Sequence, residues 1–306
     1  MTPAVTLVTP VYNQARFLGA TINSVLAQTY PAIEYHVIDD GSTDDTPSVI
    51  AGFGDRIRSD RQTNQGQSAA LNRGWREGRG RYLAYLSGDD LLAPDAIARM
   101  VGALEADPAL MCAYPDSDLI DARGSVLATG VCAPFDLERL IVHGRNPIGP
   151  GAVFRADAFE RLGGWRTDVT LGADRHFWAR MAALGRIGFV PERLAGYRVH
   201  RRALSRARAS AAHARDLLTV LGDYLAGPDT PAGIRSRAPE AWRNAHREVA
   251  KRLLRAGAIG AAWPHWRAGF SSGPKTPPRG SGADVEAAAA AVPLRTRLRI
   301  LRAISG

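Results

Sequence analysis

With 306 residues and 45% apolar composition, the chain has material for one large domain plus an appendage. No run of about 18 apolar residues occurs, so no membrane-spanning helix is expected, and MTPAVTLVTPVYN enters strand pattern without the basic-then-apolar layout of a signal peptide. The formal charge of +9 rests on arginine, Lys251 and Lys275 being the only lysines, and fits either a GC-rich genome's Arg bias or a phosphate-bearing partner; composition does not choose between them.

The first half alternates strand and helix. VTLVTPVY is an apolar, β-branched run and reads as a buried strand; Phe17, Leu18, Ile22, Val25 and Leu26 then recur at helical spacing. After a QTYP break, EYHVIDD reads as a second strand ending in carboxylates. Ser42 to Asp45 cap a helix whose body is TPSVIAGF. A short strand near Ile57, the helix QSAALNRGW and the strand RYLAYL follow, the last ending at SGDD; Pro94 and Asp95 open the next helix. Such alternation predicts an α/β fold, a Rossmann-like, mostly parallel sheet flanked by helices.

Past Pro108 the pattern changes. LMCAYPDSDLI and SVLATGV read as strands joined by a DARG turn, followed by GPGAVFR, a GGW turn, a helix from Asp174 to about Leu184, and GFVPERLAGYRVH. Cys112 and Cys132 lie in apolar surroundings with no CxxC spacing and no nearby His, which argues against disulfides and zinc and fits a cytoplasmic compartment. The expected organisation is a unit over 1–205 (halves about 1–107 and 108–205) and an Arg- and Ala-rich helical appendage over 206–270 with breaks at GPDTPAG and WPHW. A flexible linker over 271–292 and a basic amphipathic tail over 293–306 complete it, the tail aligning Leu294, Leu298, Leu301 and Ile304 on one face. That tail suits peripheral contact with an anionic membrane, docking on the appendage, or no fixed partner.

In an open parallel sheet, ligands bind beyond the carboxyl ends of the strands. Three strands place polar clusters at that edge: Thr9 to Asn13, Asp39 with Asp40, and Asp89 with Asp90. Carboxylates repel a bare diphosphate but hold one through a divalent cation that favours oxygen ligands. The SGDD turn therefore suggests a metal-bridged pyrophosphate, with Asp90 as the ligand. GxGxxG and GxxxxGK[ST] are both absent, which disfavours dinucleotide oxidoreductases and NTPases of those types. An RNA-polymerase reading of SGDD lacks its hairpin and upstream Asp. A nucleic-acid binder would rest on net charge alone, and no nucleic-acid motif is present, so no nucleic-acid partner is expected.

VTPVYNQARFLGATINSVLAQTYPAIEYHVIDDGSTDDT, NQGQSAALNRGW, YLAYLSGDDLLAPDAI, GAVFRADAFERLGGWRTDVTLGADRHFWARMAALG and YRVHRRALS resemble, in order, five blocks of family 2 glycosyltransferases, across about residues 4–205. The resemblance implies the glycosyltransferase A fold and an inverting transfer from a nucleotide-sugar donor, of the UDP-sugar class, to a glycan or lipid-linked saccharide. Bacterial surface-polysaccharide assembly in the cell envelope, at the inner face of the cytoplasmic membrane, is the setting it suggests. By position, Thr9, Pro10 and Tyr12 would line the base and Asp40 would accept its hydrogen bond. Gln67 and Asp89 would meet the donor, and Asp90 with His200 would hold Mn²⁺ or Mg²⁺. Gly164 and Trp165 would face the acceptor. Asp174 would be the general base, taking the proton of a weakly nucleophilic hydroxyl. Two departures stand out: Ala173 precedes Asp174 where Glu is common, and Ser87 replaces the first acid of the metal motif. The alternative from another class is a non-catalytic nucleotide-sugar or glycan-binding module on the same scaffold. Asp174 also has a plain capping reading, Trp165 a core reading and His200 a solvated reading.

Overall fold

The computed structural model describes residues 4–200 and 213–270, so the linker, the basic tail and the boundary near residue 205 lie outside the described residues. Two compact units emerge, one containing residues 4–140 and 146–200, the other residues 141–145 and 213–270.

The first unit is built on one nine-stranded sheet. Its elements begin with β1 (Val5–Val11), α1 (Ala15–Leu26), β2 (Ile33–Asp39), α2 (Thr46–Ala51), β3 (Arg58–Arg61), α3 (Gln67–Glu77) and β4 (Tyr82–Tyr85). They continue with β5 (Leu91–Leu92), α4 (Ala96–Ala106), β6 (Leu110–Ile120), β7 (Val126–Ala128) and α5 (Leu137–Ile141). The last four are β8 (Val153–Arg155), α6 (Ala156–Leu162), α7 (Ala173–Met181) and β9 (Arg186–Arg198). The strand order is β3-β2-β1-β4-β8-β6-β9-β5, with β7 paired to β6. The block β3-β2-β1-β4 is wholly parallel. β8 then runs antiparallel to both β4 and β6, and β9 returns parallel to β6.

The expected alternation is thus present, and the physical reason is visible in burial. Every residue of β1 is buried, as a central parallel strand covered on both faces requires. α1 buries Phe17, Leu18, Thr21, Ile22 and Val25 on one stripe, against a core that includes Val5, Leu7, Val37, Tyr82, Leu86, Ile97 and Met100. Differences from the expected elements are local. Pro94 stands before α4, with Asp95 as its first flanking residue. The two-residue β5, which pairs antiparallel with β9, carries too little sequence to show a period.

The second unit contains α8 (Asp216–Ala226), α9 (Ala232–Ser236), α10 (Ala238–Arg255) and α11 (Ile259–Phe270). GPDTPAG separates α8 from α9, but WPHW makes no break: α11 runs through Pro264, and the interruption falls instead at Ala256 to Ala258. No helix among the described residues is long and apolar enough to cross a membrane.

Candidate active site

The carboxyl edge of β3-β2-β1-β4 gathers the first group of side chains. Thr9 is fully buried, and its hydroxyl lies 3.0 Å from Tyr35 Oη. Pro10 is buried within β1, so of the three residues expected to line a base only Tyr12 is open, at 46% exposure. Asn13 adopts a left-handed φ of 53°, and its Oδ1 accepts the backbone N–H groups of Thr43 (2.7 Å) and Asp44 (3.2 Å). Ser42 Oγ accepts from Asn13 N at 2.9 Å, and Thr46 Oγ1 accepts from Gln14 N at 3.0 Å. The loops after β1 and β2 are therefore laced together by side chains that mimic backbone turns.

Asp40 spends its carboxylate inside the protein. Oδ1 accepts from Gln62 Nε2 (2.8 Å) and Gln65 N (2.9 Å), and Oδ2 accepts from Gly66 N (2.8 Å). It organises the segment leading into α3 rather than offering a vacant acceptor. Its neighbour Asp39 differs. Asp39 Oδ1 takes the Ser42 N–H at 2.9 Å, while Oδ2 is buried without a hydrogen-bond partner, facing Arg61 Nε at 3.3 Å. Of the four carboxylate oxygens of Asp39 and Asp40 it is the one that accepts no hydrogen bond, its charge being met by Arg61. Gln67, at the start of α3, donates from Nε2 to Ser87 Oγ at 3.3 Å, joining that helix to the SGDD turn. Gly88 permits the turn, since a Cβ there would meet Gln14 Oε1 at 2.5 Å.

Asp89 and Asp90 are both buried. The acid expected to share a metal with His200 was Asp90; the geometry pairs His200 with Asp89 instead, Nε2 lying 2.9 Å from Oδ2. Asp90 Oδ1 accepts the Arg198 backbone N–H at 2.8 Å. Burial, and then the Asp89 charge, push the Asp90 carboxyl well above the usual carboxylate range, opposed by that N–H and the Arg198 guanidinium. Arg198, 5% exposed, also donates from Nε to Asp89 O (2.7 Å) and from Nη1 to Asp121 O (2.8 Å). Phe17 lies beneath both, its centroid 5.1 Å from Arg198 Cζ and 4.6 Å from the His200 ring. A carboxylate from the turn after β4 and an imidazole just past β9, backed by a second acid, form an oxygen-and-nitrogen donor set suited to a hard or borderline divalent cation.

Among the described residues, the set of three metal-ligand types that closes to within 4.8 Å lies elsewhere: His36, Asp60 and Glu77. Arginines already neutralise it. Arg73 bonds Asp60 at 3.1 Å and Glu77 at 3.0 Å, and Arg58 pairs with Glu77. It reads as an ion-pair network binding α3 to β2 and β3.

On the other side of the sheet edge, Asp174 sits in the first turn of α7, where the helix dipole favours an anion. Its Oδ2 accepts from Asn146 Nδ2 at 2.8 Å. Tyr85, the last residue of β4, connects the two groups. Burial raises its phenol well above the ordinary tyrosine value, and the fields of Asp174 and Asp90 add to the shift. The Tyr85 hydroxyl thus lies close enough to feel the charges of both Asp174 and Asp90. Gly164 and Trp165, expected at the acceptor, have another role. Gly164 has φ +82°, and a Cβ there would strike Asn72 Oδ1 at 2.4 Å. Asn72 accepts from Trp165 N (2.8 Å) and donates to Trp165 O (2.7 Å). The Trp165 ring, 5% exposed, packs edge-on against Trp75, Tyr85 and Trp178, so its face is not open to stack on a sugar.

Residues 6–163 match the family described as glycosyl transferase family 2. The chain belongs to that family. An uncharacterized glycosyltransferase of Rickettsia prowazekii is 29% identical over 213 residues, 65% of this chain and 64% of that one. The match spans less than two thirds of that relative's length. The mannosyltransferase PcManGT of Pyrobaculum calidifontis, solved with GDP-Man and Mn²⁺, superposes with a TM-score of 0.59 at 24% identity, covering 98% of this chain and 83% of that one. TarS of S. aureus, solved with UDP-GlcNAc, gives 0.58 at 13% identity over 87% of this chain and 88% of that one. These likenesses show the glycosyltransferase A fold, and in the family 2 chain that fold places β1, β2 and β4 so that their carboxyl ends share one edge.

Tyr85, Asn146 and Arg198 adjoin the candidate site with no role assigned to them by the sequence, which marks Asp39 only as a strand-end carboxylate. Asp39 and Tyr85 were visible as strand ends. Asn146 lies 28 residues before Asp174 with no periodic relation to it, so only the fold joins them.

Proposed function

We propose that the chain is an inverting glycosyltransferase that moves a sugar from a nucleotide diphosphate donor, of the UDP-sugar class, to a hydroxyl of a glycan or lipid-linked saccharide. The observation that carries this reading is the meeting of Asp89, Asp90 and His200 at the turn after β4, with Tyr85 at the end of that strand feeling the charges of both Asp90 and Asp174. Asp39 Oδ2, which accepts no hydrogen bond, supports a base with a ring N–H, a property of uracil and guanine that cytosine and adenine lack. Tyr12 supplies an exposed ring for that base to rest on.

Asp89 and His200 would hold Mn²⁺ or Mg²⁺, supported by their donor types and 2.9 Å approach. The cation, when bound, offsets the charge that builds on a departing diphosphate. Arg198 fixes the SGDD turn through its backbone N–H and guanidinium. Asn146 holds one oxygen of Asp174, leaving the other to take the proton of the acceptor hydroxyl. The acceptor oxygen bonds to the anomeric carbon as the carbon–oxygen bond to the diphosphate breaks, the electron pair leaving with the nucleotide. One displacement inverts the anomeric centre. A thermal-shift screen of UDP- and GDP-sugars with and without Mn²⁺ tests the reading. Metal-dependent stabilisation by one of these nucleotide sugars is expected; no stabilisation by any of them would reject it.

A further inference from the structure

The helical unit carries an aromatic–arginine face that the transfer reaction does not use. α11 buries Ala262, His265 and Gly269 along one stripe. One residue further on, at the same helical spacing, Trp263, Trp266 and Phe270 form a second stripe; Trp263 and Trp266 are partly buried, and Phe270 is 58% exposed. The rings form a continuous ladder. Trp263 and Trp266 stack at 5.2 Å with planes 8° apart, and Trp266 meets Phe270 at 5.0 Å. Arg247 of α10 caps the ladder, its Cζ 4.6 Å from the Phe270 centroid and its Nε donating to Gly269 O at 2.7 Å. Arg267, exposed and one turn beyond Trp263, is the only charged residue of α11. Across α10 and α11, six cationic side chains face two carboxylates.

We propose that this face docks the protein on an anionic lipid bilayer, the rings entering the headgroup region and Arg247 and Arg267 meeting lipid phosphates. Tryptophan with arginine on one face of a short helix suits a bilayer interface, where one end of the side chain is wet and the other apolar. The geometry argues against other occupants. A second copy meeting this face about a two-fold axis would bring like-charged arginines together. Single-stranded nucleic acid needs open ring faces for its bases, and here Trp263 and Trp266 spend a face on each other and Phe270 a face on Arg247. The proposal is independent of the transferase reading, because its readouts use no activity.

The test is co-sedimentation of the full chain with vesicles of mixed phosphatidylglycerol and phosphatidylcholine, against phosphatidylcholine alone. The expected results are binding to the anionic vesicles only, about tenfold or greater loss in W266S/F270S, and a smaller, salt-sensitive loss in R267Q. An unchanged melting temperature and unchanged nucleotide-sugar binding check the fold of the variants. Should W266S/F270S fail to fold, quenching of wild-type tryptophan emission by brominated lipid decides the matter, since insertion requires quenching. The proposal is overturned by full binding of the aromatic variant, by equal binding to neutral vesicles, by the absence of quenching, or by a solution dimer that the same substitutions dissociate.

Discussion

The edge proposed to meet the donor and the edge proposed to meet the acceptor are built on different principles. At the proposed donor edge, Asp39 and the SGDD turn end β2 and β4, the two strands that flank β1 in parallel, so position along the chain nearly dictates position in space. At the proposed acceptor edge, Asp174 is held by Asn146, which reaches it from a loop 28 residues earlier. The contrast teaches that the first group of residues depends on secondary structure and the second on long-range packing. Substitutions at the two edges should therefore fail differently, the donor edge through binding and the acceptor edge through turnover or stability.

The largest effect should come from the donor edge. Asp89→Asn keeps the side-chain volume but weakens the cation's carboxylate ligand, and kcat/KM should fall about 10²–10³-fold with a higher Mn²⁺ requirement. Steady-state kinetics across a Mn²⁺ series reads this, and unchanged Mn²⁺ dependence would place the ligand elsewhere. Next comes Arg198→Gln, which leaves Asp90 buried beside Asp89 without its cation. Unfolding in urea should show roughly 3 kcal/mol of lost stability, and a loss under 1 kcal/mol would break the claim that this arginine ties the turn. Asn146→Ala should lower kcat about tenfold or more while leaving the donor KM within about twofold, because the lost contact is to Asp174 alone. A matching change in donor KM would move Asn146 to the donor side of the comparison.

The smallest effect concerns the helical unit. His246 and His265 are buried with their Nδ1 atoms 2.9 Å apart, and burial lowers both, His265 to about 4. Their unfolded value is 6.5, so between 6.5 and about 4 the unfolded chain binds protons that the folded unit does not. Stability is full above 6.5 and declines as pH falls through that window, by roughly 1–2 kcal/mol at pH 5. Denaturation followed by circular dichroism at pH 7 and pH 5 measures this. H265Q should flatten the dependence, and an unaltered slope would remove the pair as its cause.

Much of the donor edge was legible because buried parallel strands announce themselves as apolar β-branched runs, and their ends are then the places to look. Which carboxylate does what was less legible. Asp39 and Asp40 are adjacent in sequence but differently engaged: Asp40 accepts from Gln62, Gln65 and Gly66, while Asp39 Oδ2 accepts no hydrogen bond and faces Arg61. Asp89 and Asp90 divide in the same way around His200 and Arg198. Side-chain direction alternates along the backbone, and turn geometry decides which neighbour faces the cleft; that information is tertiary. Trp165 looked available for a sugar beside its Gly-Gly turn, but the aromatic cluster that absorbs it draws on Trp75, Tyr85, Phe154, Phe177 and Trp178, residues too dispersed for sequence to gather. The helix through Pro264 was read as a break because proline removes an amide donor.

Asp174, proposed to take the acceptor's proton, offers the most direct test. Titration of the donor with Mn²⁺ into Asp174→Asn, run beside single-turnover transfer to an acceptor panel, addresses it. Donor affinity within about twofold of wild type, together with transfer reduced about 10³-fold, is the predicted outcome. Transfer at the wild-type rate in the variant, or a wild-type protein that binds donor and transfers to no hydroxyl, would contradict it.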